Sequence, residues 1–279
     1  MYCNKKLTVN FHFEPRCNMH CCYCFAPPGK VLSYKQHCTV IRKLADSHLF
    51  NRINFVGGEP TVSSLLLPLI KTAHHAGFDC SIVTNGFNLI HHPQQYENLY
   101  PYLSCIGISV DSLRESTNAA IGRRCNCQVI TKTEYEHLCS TIKSRGIALK
   151  INTVVSKLNV DEDFTGFYDT VQPDRIKLFQ VLRPNTCVKH HYNNLMIAKT
   201  DFEAFVLRHK TAGRFSKRIV AEDNAAMTNA YYMLDSECRF IDNKTNAQSP
   251  SIAEIGMTVE KALTYIEVDA AKYQARYSA

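Results

Sequence analysis

From residue 7 onward the sequence alternates strand-like and helix-like stretches, and this alternation restricts the fold more than any other feature. Apolar-rich runs at 7–13, 52–56, 80–84, 104–110, 147–155 and 175–182 read as strands. Helical periodicity separates them at 33–48, from Pro60 to about 76, weakly at 94–99, then at 132–145 and 161–170, with Gly146 ending the helix before it. Strands separated by helices form parallel βαβ units with right-handed crossovers. Past Pro184 the rhythm breaks, and helices are expected at 201–209, 224–234 and 259–273. The expected fold is α/β: a partial (βα)6 TIM-type barrel over residues 1–184, with a C-terminal extension over 185–279 that packs on the barrel and closes its site.

Side chains two apart on a strand share a face. On the first strand Thr8, Asn10 and His12 oppose Leu7, Val9, Phe11 and Phe13. Arg52 and Asn54 oppose Ile53 and Phe55, and Gly107, Ser109 and Asp111 oppose Ile106, Ile108 and Val110. Lys150 and Asn152 oppose Leu149 and Ile151; Arg175 and Lys177 oppose Ile176 and Leu178. The helices must cover the apolar face, so the polar face lines the inside of a curved sheet. A filled (β/α)8 barrel packs that lumen with Val, Ile and Leu. A lumen of Asn, Ser, Arg and Lys is built for a polar ligand.

The composition narrows the setting. A 45% hydrophobic content suits a chain with a sizeable core. No apolar run approaches the ~20 residues that a membrane span needs, and residues 1–6 carry no signal-peptide pattern. The 13 cysteines are odd in number and scattered, as in Cys80, Cys105, Cys139 and Cys187, which suits free thiols in a reducing compartment. A cytoplasmic protein without membrane attachment is expected. The net charge of +7 fits an anionic small molecule, and no Lys/Arg block marks a nucleic-acid face.

Directly after the first strand, Cys17, Cys21 and Cys24 form C-x3-C-x2-C. A four-iron cluster normally takes four cysteines, so three leave one iron with open coordination for a substrate. The alternative is a structural zinc site completed by His12 or His20.

This spacing, with Tyr23 before the last cysteine, resembles the radical S-adenosylmethionine (SAM) superfamily, whose usual scaffold is a partial barrel. The resemblance implies a [4Fe-4S] cluster on the three cysteines and SAM on the open iron, cleaved reductively to a 5'-deoxyadenosyl radical. Cys22 departs from the pattern, which has a small residue there. Gly57, Gly58, Glu59 and Pro60 follow the second strand and resemble the superfamily's methionine-binding loop; alone, they are a strand-to-helix turn. Asn85, Ser109 and Arg123 fall at further expected cofactor positions.

Arg52, Arg123, Lys150, Arg175 and Lys177 come from separate parts of the pattern. Several cations converging in one barrel repel unless an anion balances them, and a triphosphate supplies that charge. With these residues the likeness narrows to the viperin family. The matching stretches are Asn10-Phe11-His12-Phe13, Ile53-Asn54-Phe55-Val56-Gly57-Gly58-Glu59-Pro60, Ile121-Gly122-Arg123, Lys150-Ile151-Asn152 and Arg175-Ile176-Lys177-Leu178-Phe179-Gln180. Membership implies dehydration of a ribonucleoside triphosphate (CTP, GTP or UTP) to its 3'-deoxy-3',4'-didehydro analogue, in antiviral defence. The radical removes the ribose 4'-hydrogen, the 3'-hydroxyl takes up one proton and leaves as water, and one electron completes the product. It further implies an external reductant of the flavodoxin or ferredoxin type. By the same match Arg52, Arg123, Lys150, Arg175 and Lys177 grip the substrate, Asn10 and Asn152 contact its ribose or polyphosphate, and Tyr231 is a late hydrogen or proton donor. Two other readings stay open: a radical SAM enzyme acting on a peptide or RNA, and a zinc-stabilised nucleotide-binding module without chemistry.

Overall fold

Each expected βα unit carries its own start and stop signals. Ser33 caps the first helix and Thr131 the fifth, each in a capping box with the residue three further on, Gln36 or Glu134. The computed structural model describes residues 7–182, 192–212 and 214–277. Its first half runs β1 (Leu7–Glu14), α1 (Tyr34–Asp46), β2 (Phe50–Gly57), α2 (Leu66–His75), β3 (Asp79–Thr84), α3 (Phe87–His91), β4 (Cys105–Ser109), α4 (Glu115–Ala120), α5 (Lys132–Ser144), β5 (Ala148–Val155), α6 (Thr165–Val171) and β6 (Arg175–Gln180). The six strands pair in chain order, all parallel. Val9, Phe11, Phe13, Ile53, Phe55, Ile82, Ile106, Ile108, Leu149, Ile151, Ile176 and Leu178 are fully buried on the apolar face. Truncating one of these phenylalanines would cost about 3–5 kcal/mol.

The second half is α7 (Lys199–Ala212), β7 (Ile219–Glu222), α8 (Asn224–Met227), β8 (Tyr232–Leu234), β9 (Phe240–Ile241), α9 (Val259–Leu263) and α10 (Ala270–Tyr277). It adds three strands to the same sheet, whose order is β7-β6-β5-β4-β3-β2-β1-β8-β9. The sheet is open, a partial barrel as the alternation predicts. The expected boundary at 184/185 lies outside the described residues.

Three local expectations are corrected, and one strand is new. The helix at 94–99 is replaced by α3 and two 3-10 turns that start at Pro93 and at Tyr100-Pro101, since proline lacks the N–H that a longer helix needs. The helix at 224–234 stops at Met227, and the chain then becomes β8, captured by the free edge of β1. The final helix breaks at 264–269, where Asp269 accepts the backbone N–H groups of Ala271 and Lys272 and so starts α10 afresh. Short β7 was not expected, because four residues carry no readable period. Among the described residues no helix is long and apolar enough to cross a membrane.

Candidate active site

The cysteine loop leaves the top of β1 and is held by two glycine turns. On one side Gly58 N donates to Glu14 O (2.6 Å) and Glu59 N to Arg16 O (2.8 Å). A Cβ at Gly57 would stand 2.2 Å from Glu14 O, and one at Gly58 2.3 Å from Arg16 O, so only glycine permits this approach. On the other side His20 N donates to Gly122 O (3.2 Å) and Cys22 N to Ile121 O (2.9 Å). Gly122 has φ +80° and a Cβ there would meet His20 O at 2.3 Å. Two separated sequence motifs thus grip one loop.

Cys17, Cys21 and Cys24 share one electrostatic neighbourhood. Burial pushes the Cys17 thiol up to about 11 and Cys21 up to about 12, and each is raised further by its neighbouring cysteines. Three adjacent thiolates therefore need a cationic group among them. A single zinc ion requires four donors converging on one point; among the described residues no three His, Cys, Asp or Glu side chains do so. A four-iron cluster takes one cysteine per iron and spreads its sulfurs over three corners. Of the zinc alternative's histidines, His20 is exposed. His12 is buried with its Nδ1 unpartnered, and burial lowers it to about 4. The donor set fits the cluster.

Below the loop lies a network that the sequence motifs only partly revealed. Arg123 is buried, with Nη1 2.7 Å from Asp111 Oδ2 and 3.9 Å from Cys21 Sγ, and Nη2 donating to Ser109 O at 2.7 Å. Tyr23 donates to the same carboxylate at 2.5 Å. Arg123 thus stands at the cysteine end, with its charge balanced by Asp111. Glu59 is fully enclosed and accepts from Thr61 N, Thr61 Oγ1, Thr84 Oγ1 and Asn85 N. Its carboxylate fixes the Asn85 turn, while Asn85 Nδ2 reaches Asn18 Oδ1 in the cysteine loop at 2.7 Å. Burial raises the Glu59 carboxyl despite those donors.

The inferred lumen face is realised. Asn54 Nδ2 donates to Asn10 Oδ1 (2.8 Å) and Ser81 Oγ to Asn54 Oδ1 (2.9 Å), a polar rung across β1, β2 and β3. On the neighbouring strands Lys150 aligns with Arg175, and Asn152 with Lys177. Lys150 makes no hydrogen bond or ion pair among the described residues; burial lowers its ammonium, and Arg175 and Arg52 lower it further. Lys177 Nζ lies 2.5 Å from Glu222 Oε1 and 3.4 Å from the Tyr231 hydroxyl. Arg175 donates to the Arg276 carbonyl. Arg52 is bound to Asp79 and partly exposed, so its charge is already compensated. Two buried polar atoms on this face, His12 Nδ1 and Asn152 Oδ1, have no partner, which marks room for a polar ligand.

Sequence reasoning missed Glu222 and Arg276. Glu222 ends a strand too short to read, and Arg276 lies on a helix whose start was misplaced. It also passed over Asp111 as the partner of Arg123.

A cluster-binding loop over the polar lumen of an open parallel sheet defines a radical SAM enzyme, and the family model of the Radical SAM superfamily matches residues 12–171. SuiB from Streptococcus suis bound to S-adenosylmethionine shares the fold, with a TM-score of 0.68 at 13% identity over 97% of this chain and 67% of that one. So does anSMEcpe with bound AdoMet, with a TM-score of 0.68 at 13% identity over 97% and 83%. Within the superfamily, an S-adenosylmethionine-dependent nucleotide dehydratase of Flammeovirga pacifica is 37% identical over 91% of this chain and 89% of its own. One from Selenomonas ruminantium is 31% identical over 97% and 98%. The dehydratase RSAD2 of Oncorhynchus mykiss is 30% identical over 94% and 76%. The chain belongs to the S-adenosylmethionine-dependent nucleotide dehydratases, the viperin family that its motifs resemble. Its cofactors are those of the superfamily, a [4Fe-4S] cluster and SAM.

Proposed function

We propose that the protein dehydrates a ribonucleoside triphosphate, CTP, GTP or UTP, to its 3'-deoxy-3',4'-didehydro analogue in antiviral defence. The observation that carries this reading is the group of cations Lys150, Arg175, Lys177 and Arg276 on the lumen side, in which Glu222 pairs with Lys177 and Arg276, and Arg175 stands beside Lys150 and the Arg276 carbonyl. Cations held this close in a buried site require an anion of several charges.

Cys17, Cys21 and Cys24 would hold the cluster, with Gly57, Gly58, Glu59, Asn85, Ser109 and Arg123 shaping the SAM site beside it. The chemistry supplied there is one-electron cleavage of SAM to a 5'-deoxyadenosyl radical. Lys150, Arg175 and Lys177 bind the polyphosphate, with Arg52 and Arg123 at the margins of the well. Asn10 and Asn152 orient the ribose between well and cysteines. Tyr231 holds its phenolic proton against Glu222 Oε2 at 2.5 Å, and we assign it the late hydrogen or proton delivery. The electrons come from an external carrier of the flavodoxin or ferredoxin type, which fits a protein of the cytoplasm, where thiols stay reduced.

The test is anaerobic reconstitution followed by incubation with CTP, GTP and UTP in turn. A product lighter than its substrate by one water supports the reading, and intact triphosphates alongside normal 5'-deoxyadenosine release refute it. Lys150→Ala should weaken triphosphate binding and leave SAM cleavage intact.

A further inference from the structure

The partial barrel is open between β7 and the β8–β9 edge, yet polar side chains bridge that opening. Glu222 is the last residue of β7 and Tyr231 immediately precedes β8. Residues 223–230 carry the chain across, and the Tyr231 hydroxyl donates to Glu222 Oε2 at 2.5 Å. Arg276 reaches in from α10: Nη2 lies 2.5 Å from the same oxygen, and the guanidinium stacks 3.5 Å from the Tyr231 ring centroid. It also donates to the carbonyls of Ala226 and Ala230 in the crossing segment. The other Glu222 oxygen holds Lys177 Nζ at 2.5 Å. Glu222 and Arg276 are almost wholly buried.

A carboxylate at the rim of a phosphate well repels phosphate, so its presence there calls for a reason. We propose that Glu222 is the positioning residue of the well: it latches the barrel opening through Tyr231 and Arg276, and exchanges Lys177 for an incoming phosphate oxygen. This rests on the triphosphate reading above and extends it to a residue outside the family motifs. The geometry favours exchange over a permanent pair. Arg276 stays compensated by Glu222 and two carbonyls, whereas among the described residues Lys177 has one carboxylate, Glu222, with a 3.4 Å contact to the Tyr231 hydroxyl and its ammonium over the Phe179 and Tyr231 rings, on the lumen face.

The charged and titratable groups facing Lys177 are Glu222 of β7, Tyr231 before β8, Arg276 of α10 and Lys150 of β5. Burial lowers its ammonium to about 7; Glu222 works against that lowering, and Arg276 and Lys150 add to it. A polyphosphate that takes Lys177 in its charged form must draw a proton from solvent once the pH exceeds that value. Removing the Glu222 charge moves the uptake to lower pH.

Calorimetric titration of CTP, GTP and UTP into the reconstituted protein, in buffers of different ionisation enthalpy, measures this uptake. Glu222→Gln should move the uptake curve downward in pH, and weaken binding at neutral pH about tenfold for every pH unit the curve travels. Glu222→Asp, which keeps the charge, should return the curve toward that of the wild type. Superimposable curves and affinities for wild type and E222Q overturn the proposal while leaving the dehydratase reading intact. A wild-type protein that binds no triphosphate overturns both. If E222Q does not fold, the Lys177 Cε resonance of the wild type decides, read by carbon NMR with K177R as assignment control. A titration that moves to higher pH on nucleotide binding supports exchange, and one unchanged by nucleotide refutes it.

Discussion

Gly107 has no side chain where the stem of Lys150 crosses it: a Cβ at Gly107 would stand 2.6 Å from Lys150 Cε and 3.4 Å from Asn152 Nδ2. The missing side chain on β4 is what lets a lysine on β5 lie along the lumen floor. Gly107→Ala should therefore displace a flexible lysine rather than break the sheet, with Val83 Cγ2 on β3, at 3.2 Å, giving by a few tenths of an ångström. Nucleotide affinity is expected to fall roughly tenfold, about 1.4 kcal/mol, with the unfolding temperature little changed. Equal affinity in both proteins would show that Lys150 does not depend on that space.

The cysteine loop contains a built-in control. Cys21→Ala should lose both the brown colour of the reconstituted protein and all 5'-deoxyadenosine formation. Cys22→Ser should keep both, because Cys22 is placed by its backbone bond to Ile121. Loss of iron in C22S would make Cys22 a ligand.

Asp111 is the counter-charge of buried Arg123 and also accepts from Tyr23 and from Val154 N. Asp111→Asn should destabilise by about 3–5 kcal/mol, the usual cost of stranding one member of a buried pair. Urea unfolding of the two proteins measures it, and a midpoint within error of the wild type would refute the pairing.

His37 of α1 packs edge-on against Phe11 and Phe13 with both nitrogens unpartnered, and burial lowers it from 6.5 to about 4. His12 is lowered to the same value. Between pH 6.5 and 4 the unfolded chain binds more protons at these sites than the folded one. Stability therefore declines as pH falls through that window, by about 3 kcal/mol for each histidine. His37→Leu should remove about 3 kcal/mol of that acid dependence, as read from urea midpoints at about pH 7, 5.5 and 3.5, which bracket the window. An unaltered slope would show that His37 does not titrate on unfolding.

The split faces of β1, β2, β4, β5 and β6 were legible because strand periodicity is local: each residue's side is set by its neighbours two away. So were the cysteine spacing and the Gly57-Gly58 turn, whose close backbone approach tolerates no Cβ; that Gly122 makes a second such turn against the loop was not. The fates of 224–234 and of Arg276 were not legible. Whether Tyr232–Leu234 continues a helix or becomes a strand depends on the free edge of β1, which is contributed by residues more than two hundred positions earlier.

What the sequence determined alone is therefore the parallel sheet, its polar lumen and the three-cysteine loop. Periodicity, turn chemistry and motif spacing act over a few residues and need no partner. Only the tertiary structure decided which cations converge and what balances them. It assigned Arg123 to Asp111, Arg52 to Asp79, and Lys177 to Glu222. Ion pairing is set by distance through space, and a chain closing on itself brings together charges that no local pattern relates.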